Sequence, residues 1–297
     1  MSEKKTLHLV GLGVGHSIAP AMHNFIANSL GLPWTFYATE CITLEELLSL
    51  ARAESTVGLV VTMPYKNAIM QHLDALDDLA ATIGACNNVY RDPQATGRLR
   101  GTNTDWLGIK GCLLERSEPV LHKPALIVGA GGASRAAVYA LTTHFNSSVI
   151  YVLNRDGSEV ADLIRDSERL SPAPRIIHVK ARQARELETP YYVVGTVPDL
   201  EPKTPEELAV RDSLEEFLSR PTKGVLLDMC FKPRRTRMIK LAEKLNWPTV
   251  EGTHVIGHQI EEQWKLWAGE TIVKRMDKNG AWKLLLEMAE QSPGINF

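Results

Sequence analysis

Ala125-Leu126-Ile127-Val128-Gly129-Ala130-Gly131-Gly132-Ala133-Ser134-Arg135-Ala136-Ala137 is the stretch that decides how the chain is read. An apolar run of strand length meets a glycine cluster, and small residues of good helical propensity follow it. That order is strand, tight turn, helix. Gly129 and Gly131 occupy the first two glycine positions of the dinucleotide fingerprint, where glycine permits the turn and lets backbone N–H groups approach a pyrophosphate at the helix N-terminus. Gly132 and Ala133 continue the turn, and Ser134 stands at the third glycine position. A turn that binds nothing is written with the same residues, so the rest of the chain has to discriminate.

Downstream, Val149 to Leu153 reads as the next strand and ends at Asn154-Arg155-Asp156-Gly157. This is about the spacing at which such a site meets the adenosine ribose. An acidic residue there favours the free ribose hydroxyl of NAD. Asn154 removes that charge and Arg155 can pair with the 2'-phosphate of NADP, whereas Asp156 and Glu159 oppose it. Tyr191 to Gly195 and Gly224 to Met229 supply further strands, with a polar, proline-marked loop from Asp199 to Pro205 between them. Beyond Gly252 the chain is mainly helical, broken near Gly280.

Upstream, strand and helix alternate. Thr6 to Gly11 is a strand that delivers a glycine loop carrying His16, Ser17 and Pro20, and a helix follows over Ala21 to Leu30. Trp34 to Thr39 is a strand, Thr43 to Ala53 a helix with Thr43 as N-cap, and Gly58 to Thr62 a strand ending at Met63-Pro64-Tyr65-Lys66. The alternation implies a parallel sheet with ligands at the carboxyl ends of its strands, where Thr62 and Lys66 lie. Asp74 to Ile83 reads as an amphipathic helix. The polar pair Asn87-Asn88 then sits in an otherwise apolar stretch, and the loop Gly101 to Gly108 places Asp105 near the start of another helix.

At 297 residues and 44% hydrophobic content the chain is long enough for two domains with buried cores. Its formal charge of −2 gives no generic attraction to nucleic acid or anionic membrane. Cys41, Cys86, Cys112 and Cys230 are scattered, without a C-x-x-C pair, which points to a reduced compartment. With no targeting segment or membrane-length apolar run, the expectation is a soluble, cytoplasmic protein. His254, His258 and Glu262 fall four apart, but Gly257 interrupts them and no metal is expected.

Several of these stretches together resemble the shikimate dehydrogenase family, including its quinate dehydrogenase branch, over nearly the whole chain. Gly15-His16-Ser17-Ile18-Ala19-Pro20 is similar to the family's serine-containing substrate loop, and Val61-Thr62-Met63-Pro64-Tyr65-Lys66 to its lysine motif. Asn103-Thr104-Asp105 is similar to its Asn-Thr-Asp motif, and the glycine turn and Gln259 add two more matches. The resemblance implies an α/β chain of two domains. Residues 1–108, completed by 255–297, would bind substrate and carry the catalytic groups, and residues 109–254 would form a Rossmann-like dinucleotide domain, with the site in the cleft between them.

The implied reaction is reversible hydride transfer between a nicotinamide cofactor, NAD favoured and NADP possible, and a ring hydroxyl of a polyhydroxylated cyclic carboxylate. Oxidising a secondary alcohol requires a base within reach of its proton, and Lys66 and Asp105 are the candidates. Ser17 would bind the carboxylate, while Thr62, Asn87 and Gln259 would contact hydroxyls. Gly129, Gly131, Gly132, Ala133, Asn154, Arg155 and Asp156 would hold the dinucleotide. Two departures stand out. Ala19 replaces a second hydroxyl residue of the substrate loop, leaving room that favours quinate, and Phe231 stands where the family generally has tyrosine. A biosynthetic NADP-dependent shikimate dehydrogenase is the nearest alternative, and a non-catalytic sensor of the same ligands is the alternative of another class.

Overall fold

The computed structural model describes residues 4–95 and 97–297. The chain divides into two compact units, one built from the described residues up to Thr104 together with Ile256–Ile295, the other from Asp105–Val255. Among the described residues no helix is long and apolar enough to cross a membrane.

The first unit holds strands β1 (Lys5–Gly11), β2 (Trp34–Glu40), β3 (Thr56–Val61), β4 (Ala75–Leu76), β5 (Asn88–Arg91) and β6 (Leu99–Thr102), in the order β2-β1-β3-β5-β6-β4. The alternating pattern implies a wholly parallel sheet, but this sheet is mixed: β5 runs antiparallel to both β3 and β6. Between β5 and β6 the cause is loop length. Residues 92–98 are too few for a crossover, and antiparallel neighbours need none. The expected helix over Asp74 to Ile83 also divides. Ala75 and Leu76 pair with β6, and Asp77 then caps a short helix, Asp78–Ile83, by accepting from Ala80 N at 2.8 Å. The apolar spacing there suits a helix, but β6 offers an edge and takes the first turn into the sheet.

Helix Ala19–Ser29 begins two residues before its expected start, with Pro20 inside its first turn, where a missing N–H costs nothing. Thr43 caps Leu44–Arg52 in a reciprocal capping box with Glu46. Gly257 does not interrupt Thr253–Ala268: the helix runs through it, because Trp282 packs where a side chain would be, 2.1 Å from the position of an added Cβ. Nor does Gly280 break the last helix, Lys278–Gln291, since its N–H donates to the capping Asp277 at 2.8 Å. The helical stretch is interrupted at Gly269, whose φ of 86° ends the long helix, and again over residues 274–277, just before the helix that carries Gly280.

One face of the first sheet packs a core of Val10, Leu47, Leu59, Val61, Ile69 and Val89. An aromatic cluster gathers around His23 and Phe36, whose rings stack 4.1 Å apart. Trp264 and Trp267, from the long helix, complete it. Trp264 stacks on Trp34 and donates from Nε1 to His23 Nδ1 at 3.1 Å, while Trp267 Nε1 donates to Asn88 Oδ1 at 3.2 Å. Only glycine fits at Gly58 of β3, because an added Cβ would lie 2.4 Å from Trp267 Nε1.

His23 is therefore neutral at Nδ1, and burial pushes its pKa down to about 3. The unfolded chain binds this proton near the ordinary value of 6.5, so the contribution of His23 is full above that pH and is lost as pH falls toward 3. His8, lowered to about 4 by burial, acts in the same direction. Between pH 6.5 and 5, His23 alone accounts for about 2 kcal/mol. Urea unfolding should give a lower midpoint at pH 5 than at pH 7, and His23→Phe should flatten the slope; an unchanged slope would exclude His23 as its source.

The second unit is a parallel sheet of β7 (Ala125–Val128), β8 (Ile150–Leu153), β9 (Ile176–His178), β10 (Tyr192–Gly195), β11 (Val225–Asp228) and β12 (Thr249–Glu251). Their order, β12-β11-β10-β7-β8-β9, is that of a doubly wound dinucleotide fold, with its topological switch between β7 and β10. Four of the strands are buried along their full length, as expected where helices cover both faces. Leu126, Tyr151, Val193, Phe217, Leu226 and Trp247 form the core of one face.

Candidate functional site

In the first unit the substrate-side candidates gather around the carboxyl end of β3. Thr62 leaves that strand with both its N–H and its hydroxyl donating to Val10 O, at 2.8 and 3.0 Å. Lys66 follows on the short helix Tyr65–Ala68, anchored by Tyr65, whose buried hydroxyl is shared between Cys41 O and Ile42 O at 2.9 and 2.7 Å. Cys86 N donates to Lys66 O, and Val61 N to Asn87 O, each at 2.7 Å. The lysine's turn and the Asn87 backbone are thus laced to the same strand end.

Asn87 and Gln259 meet directly. Asn87 Nδ2 donates to Gln259 Oε1 at 2.9 Å and to Thr104 Oγ1 at 3.1 Å, while Thr104 N donates back to Asn87 Oδ1 at 2.7 Å. The Thr104 hydroxyl donates to Gln259 Oε1 at 2.6 Å, and Gln263 Nε2 reaches both Thr104 Oγ1 and Gln259 Oε1 at 3.3 Å. All four side chains are buried. Such a network fixes orientation, because each buried amide has a defined partner and a lost partner leaves a costly orphan. Thr104 stands in the Asn103-Thr104-Asp105 motif without an expected contact of its own, and Gln263 lies outside every motif. Gln263 carried a signal, one turn after Gln259 on the same helix face.

Ser17 is half-buried, with its hydroxyl accepting from Ala19 N at 3.2 Å at the start of a helix. Ala19 is itself buried. The loop before Ser17 is held by Glu40, another residue that no motif marks. Its two carboxylate oxygens accept from Gly13 N and Gly15 N at 2.8 and 3.1 Å. Asp105 opens helix Asp105–Leu114 in the second unit and is buried.

The glycine turn of the second unit is built for close approach. Gly129 has φ 117°, and a Cβ there would lie 2.3 Å from Thr196 Oγ1. Gly131 is different, with no atom within 4 Å of its Cβ position. Packing does not require glycine at 131; a ligand drawn up to the N-terminal amides of helix Gly132–Thr143 would. The Thr196 hydroxyl donates to Val128 O at 2.9 Å, which leaves Ser134 Oγ to donate to Thr196 Oγ1 at 2.8 Å. Arg135 lashes the turn: it pairs with Asp166 at 2.6 Å and donates to Ala130 O and Gly131 O at 3.1 and 3.2 Å. Ala133 is half-buried in the helix's first turn.

At the end of β8, Asn154 Nδ2 donates to Asp156 O and to Glu159 Oε2, at 3.0 and 2.8 Å. Asp156 caps helix Gly157–Ser167 through the N–H groups of Ser158 and Glu159, and hydrogen bonds from Ser158, side chain before backbone, lower its pKa. Arg155 pairs with Glu207. Arg155, Asp156, Gly157, Thr204 and Glu206 line an open cavity of about 430 Å³. Phe231, half-buried, follows β11.

A doubly wound parallel sheet whose first strand ends in an open glycine turn at a helix N-terminus defines a dinucleotide-binding protein, and the residues present fit that group. Residues 9–89 match the shikimate dehydrogenase substrate binding domain. The chain is 36% identical to the quinate dehydrogenase of Emericella nidulans over 90% of its own length and 88% of that protein's. It resembles the quinate dehydrogenase of Corynebacterium glutamicum solved in complex with NAD, with TM-score 0.77 and 25% identity over 96% of this chain and all of that one. It also resembles the shikimate 5-dehydrogenase of Thermus thermophilus solved with NADP(H) and shikimate, with TM-score 0.72 and 27% identity over 95% and 99% of the two chains. The chain belongs to the shikimate and quinate dehydrogenase family.

Proposed function

We propose that the protein is a nicotinamide-dinucleotide-dependent dehydrogenase that oxidises quinate to 3-dehydroquinate and, as a second substrate, shikimate to 3-dehydroshikimate. The observation that carries this reading is the buried amide network of Asn87, Thr104, Gln259 and Gln263, tied through the end of β3 to the turn bearing Lys66. A polyhydroxylated ring needs polar groups in fixed orientation, and a network whose members orient one another holds them in place.

A nicotinamide dinucleotide held by the second unit would supply the hydride acceptor in oxidation and the hydride donor in reduction. Lys66 Nζ takes the hydroxyl proton in oxidation and returns it in reduction, and the Asp105 carboxylate accepts a hydrogen bond from the substrate. Ser17 binds the substrate carboxylate, with its loop held by Glu40; Thr62, Asn87 and Gln259 meet ring hydroxyls. The amides of Gly131, Gly132 and Ala133, beside the close-packed Gly129, would hold the diphosphate at the helix N-terminus. NAD is favoured because the Asp156 carboxylate, at the end of β8, would repel a 2'-phosphate. The second reading, a shikimate dehydrogenase using NADP, is supported by Asn154 and Arg155 at the same strand end.

Initial rates with quinate and shikimate, each paired with NAD and with NADP, test both readings. The highest kcat/KM is expected for quinate with NAD, and Ala19→Ser should lower the quinate to shikimate ratio. A preference for shikimate with NADP would establish the second reading. Tight binding of either acid without turnover would make the chain a sensor.

A further inference from the structure

The cavity at the end of β8 contains a device that the glycine turn does not explain, and the inference drawn from it rests on the second unit binding a dinucleotide. Helix Pro205–Leu218 begins with a capping box: Thr204 Oγ1 accepts from Glu207 N at 3.2 Å, and Glu207 Oε2 accepts from Lys203 N and Thr204 N at 2.8 and 3.1 Å. The other oxygen of the same carboxylate, Oε1, pairs with Arg155 Nη1. One oxygen of Glu207 therefore holds its own helix and the other holds the guanidinium offered by β8. The amide bonds first, then Arg155, push this carboxyl down to about 2, so it is charged across the neutral range.

The charges at this end are uneven. Asp156 and Glu206 line the cavity with Arg155, and Glu159 holds Asn154. Lys180 Nζ lies 3.9 Å from the Cβ position of Gly157 and donates to His178 Nδ1 at 2.8 Å, so the His178 Nε2 proton goes to Asn154 O at 3.1 Å. Two cations, Arg155 and Lys180, thus face four carboxylates, those of Asp156, Glu159, Glu206 and Glu207. A 2'-phosphate would add about two further negative charges and would have to take Arg155 from its partner.

We propose that Glu207 sets the dinucleotide preference: by pairing with Arg155 it withholds from a 2'-phosphate the guanidinium that β8 would otherwise present. Arg155 is 63% exposed on its side chain, and exposed ion pairs are weak, so the device changes preference by about tenfold rather than by thousands.

Glu207→Gln separates the two functions of the side chain, since glutamine also serves at the third position of a capping box and preserves the helix start. Affinities for NAD and NADP, measured by calorimetry on the whole protein, should show the NADP to NAD ratio rising about tenfold in Glu207→Gln with an unchanged melting midpoint. Adding Arg155→Gln to that variant should remove the gain. If the parent binds NAD and the ratio in Glu207→Gln stays within twofold, the role of Glu207 is overturned while the dinucleotide reading stands. A gain that survives Arg155→Gln also overturns it. A parent that binds neither dinucleotide overturns both.

Discussion

Lys66→Met should lower kcat for quinate oxidation by about a thousandfold while leaving thermal stability and NAD affinity close to the parent's. Methionine keeps most of the volume of lysine and loses its only proton acceptor, and a positioned acid–base group is worth 10²–10⁴ in rate. The side chain sits on a four-residue helix fixed by Tyr65 and by the Lys66 carbonyl, so replacing it leaves those anchors intact. A rate within threefold of the parent would remove Lys66 from the proton step and leave Asp105 as the base.

Trp264→Ala should destabilise the protein by about 4 kcal/mol, in the range for deleting a fully buried large aromatic. Trp264 is fully buried, stacked on Trp34 and edge-on to Trp267. Its removal opens a cavity and also strips His23 of its donor. Because Gln259 and Gln263 share its helix, KM for the cyclic acid should rise as well. Urea unfolding gives the first quantity and steady-state kinetics the second. A loss below 1 kcal/mol would mean that the aromatic cluster does not hold this helix.

Local chemistry made much of this legible in the sequence. The four-residue apolar runs that stop at Gly129 and Asn154 read as buried parallel strands through their length and the turn residues that end them, and Thr43 with Glu46 announces a helix start. Lys66, Asn87 and Gln259 stood out through motifs read together. What stayed hidden depends on residues far apart in the chain. Glu40 becomes interesting only once β2 lies beside β1 and its carboxylate meets Gly13 and Gly15, and Glu207 only once its helix reaches Arg155, 52 residues away in sequence. Gly257 looked like a break because a lone sequence cannot show Trp282, whereas the break expected near Gly280 falls just before it, where Asp277 caps a new helix. The start of the Asp74 to Ile83 segment departed for the same reason, since only the neighbouring β6 draws Ala75 and Leu76 into a strand, while Asp78–Ile83 is the helix expected.

The aromatic cluster and the amide network have a bearing on how the protein is made. His23 waits for a partner 241 residues further on, and Asn87 for one 172 residues further on. Synthesis runs from the amino end, so the whole of Asp105–Val255 leaves the ribosome before the helix that seals the first sheet exists. Until then His23, Phe36 and Asn88 belong to an unfinished surface. The unit that begins first is therefore the one completed last, and its nascent form is the stage at which the chain is most exposed to aggregation and most in need of a chaperone.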